Sequence, residues 1–206
     1  MSVEKKTIAP EVLQRVIRIQ NLTVIWMSFE AAVALGAAWM ARSPALLAFG
    51  GDSAIELISA LAVRRRFQVP AGHDQAESRA ARIAGFLLLA LAACVVVESA
   101  VSLLGHAEPR QSYLGIAVLI VAAVFMPWLA KEKRRLSTMT GSAALRADAA
   151  ESALCGYLSV IALMGLAVNA IWHVAWADPV AALCLVPFIV REGWEALQGE
   201  ADGCCS

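Results

Sequence analysis

The chain has 206 residues, of which 60% are hydrophobic and 17% are charged. A soluble domain is about 45–50% apolar and about 25% charged, so the composition excludes a water-soluble globular enzyme and indicates an integral membrane protein. Seventeen Lys and Arg balance seventeen Asp and Glu, and this neutral chain presents no basic field for nucleic acid.

The opening stretch "MSVEKKTIAPEVLQRVIRIQ" is polar and lacks the apolar core of a cleavable signal peptide. It reads as a cytoplasmic arm. Six apolar segments follow, each near the length of about 20 residues that a membrane-spanning helix needs. They fall at roughly 21–41, 44–63, 82–105, 112–130, 143–170 and 177–195. The expected organisation is therefore all-α: an N-terminal arm at roughly 1–20, a six-helix transmembrane domain at roughly 21–195, and a short cytoplasmic tail at roughly 196–206. The connections are too short to hold an aqueous domain. The sequence shows no nucleotide-binding loop and no Ser/His/Asp set, so enzymatic activity is not expected.

Basic residues set the orientation. Lys5, Lys6, Arg15 and Arg18 lie in the arm, and Arg64, Arg65, Arg66, Arg79 and Arg82 between the second and third spans. Lys131, Lys133, Arg134 and Arg135 lie between the fourth and fifth, with Arg146 and Arg191 near ends facing the same side. Only Arg42 and Arg110 fall opposite, so both termini are expected in the cytoplasm. Trp26, Trp39, Trp128, Trp172, Trp176 and Trp194 all fall near span ends, where an aromatic belt belongs.

The second and fifth spans repeat one another. "SPALLAFGGDSAIE" from Ser43 and "SAALRADAAESALC" from Ser142 align at an offset of 99 positions. Ser43/Ser142, Ala45/Ala144, Leu46/Leu145, Ala48/Ala147, Ser53/Ser152 and Ala54/Ala153 are identical. The two spans run in opposite directions, which is the pattern of an inverted-topology repeat with its substrate site near the midplane. Small residues around the motif, from Gly50 and Gly51 to Ala149 and Ala150, predict a close approach of these two helices.

Within the repeat, Asp52 aligns with Glu151 and Glu56 with Cys155. Positions i and i+4 share one helix face, so each span presents a pair of ligand-type side chains about two turns or more from the membrane surface. Together they offer three carboxylates and one thiolate, a set that suits a tetrahedral divalent ion such as Zn²⁺. Carboxylates crowded in low dielectric repel one another, so the empty site holds protons that a divalent ion must displace. A structural reading stands beside this one: buried acids that stay neutral or pair with Arg146.

The stretches "SPALLAFGGDSAIELISA", "GSAALRADAAESALCGYLSVIAL" and "WADPVAALCLVPFIVREGWEAL" resemble the second, fifth and sixth transmembrane helices of the cation diffusion facilitator family. "AESRAARIAGFLLLALAACVVVESAVSLL" is similar to its third helix, with Glu77 and Glu98 in corresponding places. The resemblance implies a six-helix exporter of divalent metal, working as a homodimer in exchange for protons, in a bacterial inner membrane. It implies that Asp52, Glu56, Glu151 and Cys155 hold the transported ion, Zn²⁺ or Cd²⁺. No resident cofactor is expected, because the metal is cargo. Cys155 and Glu56 stand where the family usually has Asp, and the family's C-terminal cytoplasmic domain is not found in this sequence. A scaffold or metal sensor of the same fold is the alternative function.

Other ionisable residues carry weaker signals. Asp148 is either a ligand on the way into the site or a partner of Arg146 or Lys133. Glu30 and Glu98 stand isolated in their spans. His73, Asp74 and Glu77 are most simply a solvated loop, and His106 and His173 lone histidines on the outer side. Cys94 and Cys184 read as small packing residues, and Cys204–Cys205 as free thiols on a tail, able to hold a soft ion.

Overall fold

A computed structural model describes residues 10–68, 74–105 and 109–198. His73, His106 and the Cys204–Cys205 pair lie outside the described residues. The chain forms six helices: α1 (Pro10–Ala41), α2 (Pro44–Gln68), α3 (Asp74–Leu103), α4 (Tyr113–Thr140), α5 (Ala143–Trp172) and α6 (Ala177–Gln198). Among the described residues, five are long and apolar enough to cross a membrane. The sixth, α6, has 22 residues and is about 33 Å long, but carries Asp178, Arg191, Glu192 and Glu195 toward its ends.

Local chemistry explains the helix starts. Pro44 opens α2 at a position where its missing N–H is not needed. Just before it, Ser43 Oγ accepts the N–H of Leu46 at 3.1 Å. Ser142 caps α5 in the same way, accepting from Leu145 at 3.3 Å. Arg42 and Gly141, also 99 positions apart, both take left-handed backbone, with φ of 49° and 69°. The repeat is thus built into both turns, and the glycine at 141 suits its conformation better than the arginine at 42.

Each helix packs antiparallel against its counterpart in the other repeat. Val16 of α1 clusters with Leu136 of α4, while further along Trp26 packs on Phe125 in a tilted arrangement with ring centroids 4.7 Å apart. On α3 and α6, Gly85 lies against Leu197 and Leu88 against Gly193. Side-chain hydrogen bonds between α2 and α5 run Ser59–Glu151 and Glu56–Ser152. In every pair one residue number rises as the other falls. The inverted repeat is therefore also the packing plan.

Three expectations need correcting. First, helix α1 begins at Pro10, and α4 runs on to Thr140. The basic run from Lys131 to Arg135 is therefore helical, and only Gly141 and Ser142 connect α4 to α5. Charge did not end the helix, because Lys131, Arg134 and Arg135 are exposed while Lys133 is buried against Asp148. Second, Gly50 opens α2 to α1 and Gly51 opens it to Leu91 of α3; neither serves the α2–α5 contact. Third, Trp26 is half-buried against Phe125, whereas Trp39, Trp128, Trp172, Trp176 and Trp194 are exposed.

The face carrying the α1–α2 turn is tied down by polar contacts. Asp178, buried at the start of α6, accepts the Ser43 hydroxyl at 2.5 Å and the Ala45 N–H at 3.2 Å. The Arg110 N–H reaches the Ala41 carbonyl at 2.7 Å, and Asn169 Nδ2 reaches that of Pro109 at 3.3 Å.

A Cβ added at Gly50 would sit 2.9 Å from both the Ala34 Cβ and the Leu35 backbone nitrogen, whereas one at Gly36 meets nothing within 4 Å. Gly50→Leu should destabilise the bundle by about 1–3 kcal/mol, and Gly36→Leu should not. Thermal unfolding of the two purified variants in one detergent checks this; equal midpoints would show that α1 and α2 are not in close contact there.

Candidate metal centre

The α2–α5 crossing lies deep in the bundle. Asp52 and Glu151 are each eight residues past the start of their helix, or about 12 Å from it, and the two helices start from opposite faces. Both residues therefore sit toward the middle. Asp52 and Glu56 are 4% and 6% exposed, Cys155 is fully buried, and Glu151 is half-buried.

Hydroxyls of one helix hold the carboxylates of the other. Ser152 Oγ on α5 donates to Glu56 Oε1 at 2.9 Å. Ser59 Oγ on α2 donates to Glu151 Oε2 at 2.9 Å. Cys155 turns elsewhere: its thiol donates to Glu30 Oε1 on α1 at 3.5 Å, and its sulfur lies 4.0 Å from Ser53 Oγ. Asp52 and Glu151 remain within electrostatic reach of one another. Among the described residues, no three His, Cys, Asp or Glu side chains are gathered tightly enough to hold an ion. The four expected ligands thus lie on the two crossing helices, with Glu56, Glu151 and Cys155 each bonded to a residue outside the set.

Gln20, Ser59 and Glu192 were not singled out from the sequence, and Lys133 entered the site only as a partner considered for Asp148. Lys133 of α4 is fully buried. Its ammonium donates to Asp148 Oδ1 at 2.8 Å and to Ser152 Oγ at 2.7 Å. Gln20 of α1 donates to the other oxygen of Asp148 at 2.6 Å. A continuous polar chain therefore runs Gln20–Asp148–Lys133–Ser152–Glu56 across four helices. Of the partners considered for Asp148, Lys133 is the one bonded; Arg146 is exposed. Glu192 of α6, half-buried, completes an acidic surround within reach of Asp52, Glu56 and Glu151. The identity of Ser53 and Ser152 across the repeat was the signal for the serines. Glu98 is exposed and stands apart.

Residues 22–198 match the family model described as the cation efflux transmembrane domain. The chain is 25% identical over 173 residues to the manganese efflux system protein MneS of Bacillus subtilis, covering 80% of this chain and 59% of that protein. It is 24% identical over 163 residues to the uncharacterized transporter YdbO of the same organism, covering 75% of this chain and 56% of that protein. The chain thus spans less than two-thirds of the length of these relatives.

Removing one member of a buried ion pair leaves the other uncompensated, at about 3–5 kcal/mol, whereas replacing both is often neutral. Lys133→Met and Asp148→Asn should each lower stability by that order, and the double variant should recover most of the loss. A double-variant cycle on detergent unfolding midpoints measures the coupling; strictly additive losses would show that the pair does not act as a unit.

Proposed function

Since the chain belongs to the cation efflux transmembrane domain family, we propose that it exports divalent transition-metal cations from the cytoplasm in exchange for protons, through the α2–α5 crossing. The chain is a multi-pass membrane protein, and its long apolar helices, its family and its bacterial relatives support a bacterial plasma membrane. One observation carries the proposal most directly: carboxylates on two antiparallel, repeat-related helices lie deep in the bundle, and Glu56 and Glu151 are each held by a hydroxyl from the opposite helix.

Those hydroxyl bonds suit a carrier. A neutral hydroxyl stabilises a buried carboxyl group modestly and gives way to a divalent ion more readily than an arginine would. Among the described residues, the fully buried cation Lys133 is engaged by Asp148 and Ser152 and makes no direct bond to Glu56. The ligand-type acids are left for cargo. Binding a divalent ion requires them ionised, so binding and proton release are one event at one site, and metal release on the far side coincides with proton return. An inverted repeat supplies the alternating access, as one half rocks against the other.

The donor set leans toward Zn²⁺ and Cd²⁺. Cys155 contributes soft sulfur, which favours these ions over Mn²⁺, while Asp52, Glu56 and Glu151 are hard. Manganese is named for the relative MneS, and in that light Cys155 is the residue on which selectivity should turn.

Asp52→Asn and Glu151→Gln should each abolish metal tolerance in a sensitive host while membrane levels stay normal; protection equal to the parent by both variants would refute the site. In proteoliposomes, an acid interior should drive metal inward as protons leave, and collapsing the gradient with an ionophore should slow uptake; flux indifferent to the gradient would refute exchange. Cys155→Ala should weaken Cd²⁺ transport by about tenfold or more and Mn²⁺ transport far less. Competition among Zn²⁺, Cd²⁺ and Mn²⁺ reads this, and an unchanged order would remove Cys155 from the ligand set.

A further inference from the structure

Glu30 sits within α1 and is fully buried. An acid in that position is costly unless partnered, and acids inside a membrane are functional by default. One oxygen, Oε1, accepts the Ser53 hydroxyl at 2.7 Å and the Cys155 thiol at 3.5 Å. The other, Oε2, is buried with no hydrogen-bond partner. No cation compensates it among the described residues, since Lys133 is engaged by Asp148 and Ser152. The Trp26 indole lies near this carboxyl group, but its N–H is also without a bonded partner. A small rotation of that ring would close the pair and leave Glu30 purely structural.

The unpartnered oxygen and the spacing also fit a different role. An ion about 2.3 Å from sulfur and about 2.0 Å from oxygen, at a tetrahedral angle, holds those two atoms about 3.5 Å apart. That is the separation of Cys155 Sγ and Glu30 Oε1. The thiol and the carboxyl group thus already stand at the bite distance of one metal ion. Close packing at Gly50 is what brings α1 near enough.

We propose that Glu30 is a ligand of the transported ion, forming with Cys155 an oxygen–sulfur pair that takes a thiophilic divalent cation and makes the transport site one of three helices, α1, α2 and α5. This rests on the reading that cargo passes the α2–α5 crossing. On binding, the S–H bond directed at Glu30 is replaced by a sulfur–metal bond, and its proton leaves with those displaced from the carboxyl groups. The spare oxygen of Glu30 then either completes the metal's coordination or accepts from Trp26.

The test uses the full chain in detergent with Cys94, Cys184, Cys204 and Cys205 replaced by serine, so that Cys155 is the single thiol. Titration with Cd²⁺ is followed by the ultraviolet thiolate-to-cadmium charge-transfer band. The parent should show the band, and Glu30→Gln should weaken Cd²⁺ binding by about tenfold or more. Glu30→Asp, which keeps the charge on a shorter arm, should fall between them, and Glu98→Gln should match the parent. Elution profile and unfolding midpoint verify that each variant is folded; if the glutamine variant is not, the aspartate variant is decisive, and parent-like affinity there overturns the proposal. No band in the parent, or parent-like titration of Glu30→Gln, also overturns it. The underlying site is judged separately: intact flux in Asp52→Asn and Glu151→Gln would sink the α2–α5 crossing itself. Lost flux there, with Glu30→Gln normal in both flux and titration, would sink the role of Glu30 alone.

Discussion

An ammonium group inside a bundle of apolar helices must be neutralised and hydrogen-bonded where it stands. Lys133 meets that demand by drawing on three other helices. Asp148 and Ser152 bring in α5, Gln20 is drawn in from α1 through Asp148, and Glu56 from α2 through Ser152. The pair adds little net stability by itself, because desolvation offsets most of the attraction. Its effect is on arrangement: with Lys133 in place, a shift in α5 register would strand a buried charge. The depth and facing of Glu151 and Cys155, on the same helix, follow from that constraint.

Much of this was legible in the sequence. The apolar spans, the offset of 99 positions and the four-residue spacing were enough to place Asp52, Glu56, Glu151 and Cys155 at one crossing. What periodicity could not supply was the neighbour each face would meet. Shared faces on α2 and α5 suggested four ligands closing on one point, but Cys155 meets α1, because Gly50 lets that helix approach. Glu30 looked isolated for the same reason, since its partners are distant in sequence. Lys133 was hidden in a basic run that resembles a loop. Only the helical phase of α4 beyond its apolar stretch turns that one residue inward while Lys131, Arg134 and Arg135 stay exposed. The sixth helix was legible by length and by its apolar centre, but its charged ends reveal their use only in three dimensions, where Asp178 clasps the start of α2.

Ser53 and Ser152 occupy equivalent places in the two repeats, yet one holds the acid Glu30 and the other the base Lys133. A carrier made of two identical halves that trade conformations would spend equal time open to either side, because its two end states would be mirror images in energy. The carboxyl group of Glu30 on α1 and the ammonium of Lys133 on α4 make the two halves unlike. At the offset of 99, Glu30 aligns with Leu129 and Lys133 with Ala34, so each half carries a polar group that the other lacks. On the proposed carrier reading, the two end states of the empty protein are therefore unequal in energy, because the two halves do not carry the same buried polar groups.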